Sequence, residues 1–361
     1  MKRITDTAGF LVLACSLLPA SCSRSEAGPQ GGPNDDAGAI SDAGDSSADD
    51  AATDSGSCTP PATAEGGSDC AAPLAPGTDR KCTLNVGGQP RELLLYAPSI
   101  YDPCSPAALV VDAHGSSETD AEQAGLEPFL DWPSGLGSGW RLLADREGFI
   151  VAQPQGIGDQ WTQTDTDFML QIPAVVAEAA KVDPKRVYMT GISNGGELTY
   201  WTGCKDTAVF RGFAPVSGFG QQACPLTHPA PLIAFHSADD KIIPLADGQA
   251  AFQMWVASNH CKGGPIASWQ FGGPNTDPRE VCLSSGPGWT PPWKLAVCDP
   301  SAPATTCQTW SQCDGGIEAT FCTVPADQQH HFDQTGGHVL YINATNLSLA
   351  AVAWEFFKKL P

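Results

Sequence analysis

One stretch restricts the architecture of this chain more than any other: Arg186-Val-Tyr-Met-Thr-Gly-Ile-Ser-Asn-Gly-Gly196. Val187, Tyr188, Met189 and Thr190 are strand formers. They follow Val182-Asp-Pro184, which is expected to close the preceding segment. Gly191-Ile-Ser-Asn-Gly195 then reads G-x-S-x-G, the pattern of a nucleophile elbow, where a serine occupies a strained turn between a strand and a helix. Cβ atoms two residues either side of that serine would collide with neighbouring backbone, and Gly191 and Gly195 remove them. A helix can start at Gly196-Glu-Leu-Thr-Tyr-Trp201, its positive end toward Ser193. In a chain rich in glycine and serine the pattern also arises by chance, so the surroundings must decide.

Those surroundings alternate strand and helix. Arg91–Tyr96, Ala107–Asp112, Gly148–Ala152, Gly212–Val216, Pro231–Phe235 and Ile317–Val324 read as strands. Phe168–Lys181 carries Phe168, Ile172, Val175, Val176 and Ala179 on one helical face, with Pro173 either kinking or starting the helix. The tail is amphipathic, with Leu349, Val352, Ala353, Phe356, Phe357 and Leu360 at helical spacing. The fold class is therefore α/β, a mostly parallel sheet covered on both faces by helices. Cys261–Gln308 breaks the rhythm, being rich in Gly, Pro, Trp and Cys, and is expected to be a disulfide-rich insertion above the sheet.

The N-terminus reads as an export signal over residues 1–22: Lys2 and Arg3, an apolar run from Ala8 to Leu18, then small residues. Cys22 is a candidate lipidated residue, with Cys15 as the rival, so secretion and a cell-surface lipoprotein both stand. Residues 23–68 are Asp, Ala, Gly and Ser with Ile40 as the one large aliphatic side chain, and are expected to form a disordered acidic linker. Residues 69–361 are left for the folded domain. The net charge of −21 argues against nucleic acid or an anionic membrane surface as partner. Of fourteen cysteines, twelve remain once Cys15 and Cys22 are set aside, an even number that implies disulfides in an exported chain. No C-x-x-C spacing points to zinc.

A serine hydroxyl needs a base, and the base needs an orienting carboxylate. His338 is the expected base, because it follows Gly336-Gly337 between the last strand and the terminal helix; His330-His331 is the rival pair. Phe235-His-Ser-Ala-Asp-Asp-Lys-Ile-Ile-Pro244 offers two acids at the end of a strand, Asp240 first and Asp239 as the alternative. For the oxyanion hole, one N–H is expected from Asn194 and the other from Ser116, with Gly115 as alternative. Trp161 is a candidate substrate-binding side chain or a core tryptophan.

Together these residues resemble the secreted esterases that include feruloyl esterases and polyhydroxybutyrate depolymerases, with acetylxylan esterases near them. Four stretches carry the resemblance: Leu109–Ser116, Leu143–Gly156 with Trp161 beyond, Val182–Gly196, and His236–Pro244, whose alignment puts the acid at Asp240. The resemblance implies an α/β-hydrolase fold and a serine carboxylester hydrolase with Ser193, Asp240 and His338 as its triad. It also implies no cofactor, no metal and an ester substrate on polysaccharide or polyhydroxyalkanoate. The chain departs at Leu340-Tyr341, where relatives carry Trp-Pro, which bears on the substrate. A monomer is expected. A non-catalytic binding protein and a serine peptidase on the same scaffold are the other classes.

Overall fold

Strands that are apolar on both faces need cover on both sides, and alternate side chains choose the side. Leu109 and Val111 of one strand join a core with Val187, Met189, Leu232 and Ala234. Their neighbours Ala108 and Val110 join a second core with Tyr188, Ile233 and Phe235. The computed structural model describes residues 69–128, 137–220, 223–271, 304–326, 337–340 and 348–361, and these two cores lie on opposite faces of one sheet.

The strands are β1 (Thr78–Val86), β2 (Gln89–Ala97), β3 (Ala107–Ala113), β4 (Ile150–Pro154), β5 (Val182–Ile192), β6 (Gly212–Val216), β7 (Leu232–Ser237), β8 (Ala267–Phe271), β9 (Thr305–Trp310) and β10 (Ala319–Val324). Their order in the sheet is β1-β2-β4-β3-β5-β6-β7-β10-β9-β8. The middle, from β4 through β10, is parallel, and antiparallel pairs close both edges. The helices are α1 (Asp120–Gln123), α2 (Trp140–Glu147), α3 (Thr166–Ala179), α4 (Asn194–Lys205), α5 (Leu245–Ser258) and α6 (Leu349–Phe357). On the first face lie Phe168, Ile172 and Val176 of α3, Leu198 of α4 and Trp255 of α5. The second face is covered by Trp140 and Leu143 of α2 and by α6, whose Phe357 stacks on Tyr188 at 4.3 Å between ring centroids. This is the α/β-hydrolase arrangement, with β5 running into α4 at the middle of the sheet.

Three local expectations are revised. Val182-Asp-Pro184 does not precede β5 but opens it: the register with β3 shifts between Ala107 and Leu109, and this irregularity accommodates a proline that has no N–H to give. Pro173 lies inside α3, which starts seven residues earlier at Thr166 and continues past it. The ends of the Cys261–Gln308 segment do not rise above the sheet. They extend it in its own plane, β8 on β9 and β9 on β10; residues 272–303 lie outside the described residues, as do the signal, the linker, His330-His331 and Tyr341. β1, β8 and β9 were not expected from the sequence.

Disulfides hold the edges. Cys70–Cys82 ties the first described turn to β1, Cys204–Cys224 anchors the end of α4, Cys307–Cys322 joins β9 to β10, and Cys261–Cys313 clips both ends of the edge extension. No described helix is long and apolar enough to cross a membrane. Cys261–Cys313 closes 52 positions against 12 for Cys70–Cys82. Replacing Cys261 and Cys313 by alanine is therefore expected to cost the more of the two, about 4 kcal/mol against about 3 kcal/mol, as read from urea unfolding midpoints.

Candidate active site

Ser193 sits between β5 and α4 at φ 54° and ψ −119°. A non-glycine residue holds a positive φ of this kind at a cost of about 1–3 kcal/mol, so the surroundings must impose it. Ser193 N–H donates to Val216 O at 2.8 Å, and Glu197 N–H donates to Ser193 O at 2.9 Å. Close backbone packing supplies the rest. A Cβ at Gly195 would overlap the carbonyl oxygens of Ala113 and His114 at the end of β3, and one at Gly191 would overlap the Gly195 carbonyl. The two glycines of the motif thus let the first turn of α4 rest directly on the neighbouring strand.

The chain brings two distant residues to this serine. His338 Nε2 lies 2.8 Å from Ser193 Oγ across 145 positions, and its Nδ1 lies 2.7 Å from Asp240 Oδ2 across 98 positions. With Nδ1–H donated to the carboxylate, Nε2 is left to accept from the hydroxyl. Gly337 makes this approach feasible: at φ +84°, a Cβ there would meet Ser237 Oγ and Asp239 Oδ1 within 3 Å. Gly336 lies outside the described residues. Of the two candidate acids, Asp239 accepts from Ser237 Oγ at 2.7 Å and Asp240 faces the histidine.

Asp240 is held as an anion. Burial opposes its ionisation, but His236 and His338 hydrogen bonds, the charge of His338 and the Ile243 N–H outweigh burial and keep its carboxyl well below the usual carboxylate range. Oδ1 accepts from Ile242 N–H and Ile243 N–H, both at 2.9 Å. His236, fully buried, donates Nε2–H to Ile243 O at 2.8 Å and stands 3.4 Å from Asp240 Oδ2. Sequence reasoning used His236 only as an alignment mark; here it stands against the same carboxylate oxygen that His338 Nδ1 contacts.

The loop after β3 sorts its amides one by one. Gly115 N–H donates to Glu118 Oε2 at 2.7 Å, Ser117 N–H to Asp159 O at 2.8 Å and Glu118 N–H to Gly115 O at 3.3 Å. Ser116 N–H has no partner among the described residues, and neither has Asn194 N–H in the first turn of α4. That separates Ser116 from Gly115. The anchors behind the loop are buried ionisable groups. His114 accepts from Gly156 N–H at Nε2 and donates from Nδ1 to Gly115 O, and burial lowers its pKa to about 4, so it is neutral. Asp112 accepts from Gln123, Ser138 and Gln153, yet burial raises it to about 6. Burial raises Glu118 to about 8, against the Gly115 N–H and reinforced by Asp112 and Glu122. Glu118 was missed because a charged residue before a Thr119–Glu122 capping box reads as exposed.

Trp161 is not on a cleft wall. It is 3% exposed, its ring lies 4.7 Å from that of His114, and its indole N–H donates to His114 O at 2.8 Å. Its backbone N–H donates to Asn194 Oδ1 at 2.7 Å and its carbonyl accepts from Asn194 Nδ2 at 3.2 Å, so it braces the elbow. Leu340 is buried in the second core.

The sequence is similar to known esterases. A bifunctional acetylxylan esterase/xylanase of Neocallimastix patriciarum is 26% identical over 238 residues, covering 64% of this chain and 29% of that protein. A feruloyl esterase C of Emericella nidulans is 26% identical over 216 residues, covering 56% of this chain and 77% of that protein. The chain thus spans under a third of the first relative's length. Among solved structures, an acetyl xylan esterase from Aspergillus awamori aligns at a TM-score of 0.49 and 14% identity, over 69% of this chain and 94% of that one. No family model matches the sequence.

Two outcomes follow from the packing and the burial. Gly195→Ala must move backbone, so a loss of about 3 kcal/mol is expected, a fall of roughly 6 °C or more in Tm. For Glu118, the folded carboxyl keeps its proton up to about 8 while the unfolded one releases it near 4.5. Between those values the unfolded state binds fewer protons, so stability falls as pH rises. Glu118→Gln removes that loss and keeps an acceptor for Gly115; its stability relative to the parent should rise from pH 5 to pH 8 in urea unfolding.

Proposed function

We propose that the protein is an exported serine carboxylic ester hydrolase that cleaves feruloyl or acetyl esters carried on polysaccharide. The observation that carries this reading is the unbroken run from Asp240 Oδ2 through His338 to Ser193 Oγ, at 2.7 and 2.8 Å, on a serine held at a strained turn. The names of the relatives, feruloyl and acetylxylan esterases, support the substrate class.

In this reading Ser193 Oγ attacks the ester carbonyl while His338 Nε2 takes its proton. The carbonyl π electrons move onto oxygen, and the Ser116 and Asn194 N–H groups receive that charge; each such donor is worth about 10²–10³ in turnover. Asp240 holds the imidazole in place and stabilises its charged form without accepting the proton. As the tetrahedral intermediate collapses, the bond to the alcohol breaks and His338 returns the proton to the leaving oxygen. Water, activated by the same histidine, then attacks the acyl-enzyme and releases the acid and Ser193. Residues 1–22 direct export, by plain secretion or with Cys22 lipidated, and residues 23–68 are the spacer to the catalytic domain at 69–361.

Ser193→Ala is expected to lower hydrolysis of p-nitrophenyl acetate by about 10⁴-fold or more with the fold intact. A fluorophosphonate probe should label the parent protein and not the variant. A parent protein that does not react would favour a non-catalytic binding role, and a variant that retains turnover would remove Ser193 from the reaction.

A further inference from the structure

We infer that a polar groove beside the elbow is the subsite for the sugar chain that bears the ester. The inference rests on the esterase reading and goes beyond it by placing the glycan on named residues. The groove has a volume of about 650 Å³ and is bounded by the β1–β2 hairpin tip, the loop after β4 and the start of α3. That size is within the range of small-molecule sites.

Its position ties it to the chemistry. β3, β5 and β7 all end on the edge of the sheet where Ser193 and Asp240 lie. β2 runs antiparallel to β4, with Leu93 opposite Pro154, so its first residue, Gln89, projects beyond that same edge. The opposite wall is the loop that carries Trp161. Gln160 and Thr162 flank Trp161, whose backbone is bonded on both sides to Asn194, the residue after the nucleophile.

The groove is also rigid. Arg91 and Asp165 are both buried and paired at 2.5 Å, and the Arg91 guanidinium lies 4.3 Å from the Phe168 ring centroid. Asp165 accepts further from Thr162 N–H and Thr162 Oγ–H at 2.7 and 2.9 Å. The hairpin tip is set by Gly87 and Gly88, both at positive φ, as a two-residue turn requires.

The chemistry of the lining selects the ligand. Its charges are cancelled locally: Arg91 by Asp165, and Asp167 by Lys205 at 2.6 Å. No uncompensated cation is left among the lining residues to hold an anion. What faces solvent includes the amides of Gln89 and Gln160 and the hydroxyl of Thr164, which pairs with that of Thr162 at 2.7 Å, with Val86 and Ile157 as aliphatic surface, Ile157 being 60% exposed. The two amides have no partner among the described residues. Donors, acceptors and aliphatic patches suit a neutral pyranose chain, whose hydroxyls pair with amides while its C–H faces lie on Val86 and Ile157. A polyhydroxyalkanoate strand has no donors and would leave amide oxygens unpaired on contact.

The test uses the full-length protein with two variants, Gln89→Ala/Gln160→Ala and Thr164→Arg, the second as a block. Each is assayed on acetylated xylohexaose, on p-nitrophenyl acetate and on an ester of trimeric 3-hydroxybutyrate. The ratio of kcat/KM for acetylated xylohexaose to that for p-nitrophenyl acetate is expected to fall about tenfold in both variants, mainly through KM. Titration calorimetry with unesterified xylohexaose should show binding to the parent and a similar weakening in the double variant. Folded variants with unchanged ratios and unchanged xylohexaose binding overturn the inference. So does an equal fall for the hydroxybutyrate ester, which would make the groove a polyester site. A parent protein inactive on p-nitrophenyl acetate would count against the esterase reading instead, and the xylohexaose titration, which needs no turnover, would still decide the groove.

Discussion

The geometry of the site depends on one backbone contact: the first turn of α4 lying against the end of β3, where Gly195 meets the carbonyls of Ala113 and His114. No side chain fits between them. The contact keeps Ser193 at its positive φ and sets the distance from Asn194 N–H to the loop that holds Ser116. The parallel centre of the sheet supplies the frame, since β3 and β5 are adjacent and end at the same edge. A serine hydroxyl, two amides without a partner among the described residues and the positive end of a helix converge there because two glycines removed the atoms that would have kept them apart.

The amides of the loop after β3 are taken up one by one, and Glu118 and His114, which take part, are buried. Glu118 occupies the Gly115 N–H, Asp159 O occupies that of Ser117, and a neutral His114 locks Gly156 and the Gly115 carbonyl. Three acceptor contacts fall on Asp112 below them. Buried polar groups of this kind are tolerated when hydrogen-bonded, and their value is positional: they leave Ser116 as the amide of this loop without a partner among the described residues. The raised carboxyl groups of Asp112 and Glu118 and the depressed one of Asp240 show the same physics with opposite sign. Asp240 receives donors enough to overcome its burial, whereas Asp112 and Glu118 do not.

Much of this was legible in the sequence where a residue type has one physical use. The glycines around Ser193 and the apolar strand runs Ala107–Asp112 and Val187–Thr190 were readable from residue type, and the structure brings Asp240 and His338 to Ser193. Illegible were features that depend on partners far along the chain. Trp161 reads as an aromatic in a polar loop, which suits a cleft; its burial comes from His114 and Asn194, 47 and 33 positions away. The Cys261–Gln308 segment has no period because its strands β8 and β9 stand at either end of a long intervening stretch. Their pairing with each other and with β10 is a tertiary fact with no local signal. The same holds for Arg91, an ordinary strand cation until Asp165, 74 positions later, turns it into a buried floor.

Both antiparallel additions to the sheet extend a parallel core that runs from β4 to β10. A βαβ core ends its strands at one edge, where Ser193 lies, and under the proposed function a polymer substrate would need contact area beyond that edge. β2, antiparallel to β4, and β1, antiparallel to β2, carry a hairpin tip past the ends of the parallel strands. The Arg91–Asp165 pair then joins that hairpin to the loop bearing Trp161, so the groove wall and the elbow are braced through the same few residues. On the proposed reading, a change of hairpin length or of its exposed amides would alter which chain is held without touching Ser193, His338 or Asp240, so that selectivity would vary independently of the bond-breaking step.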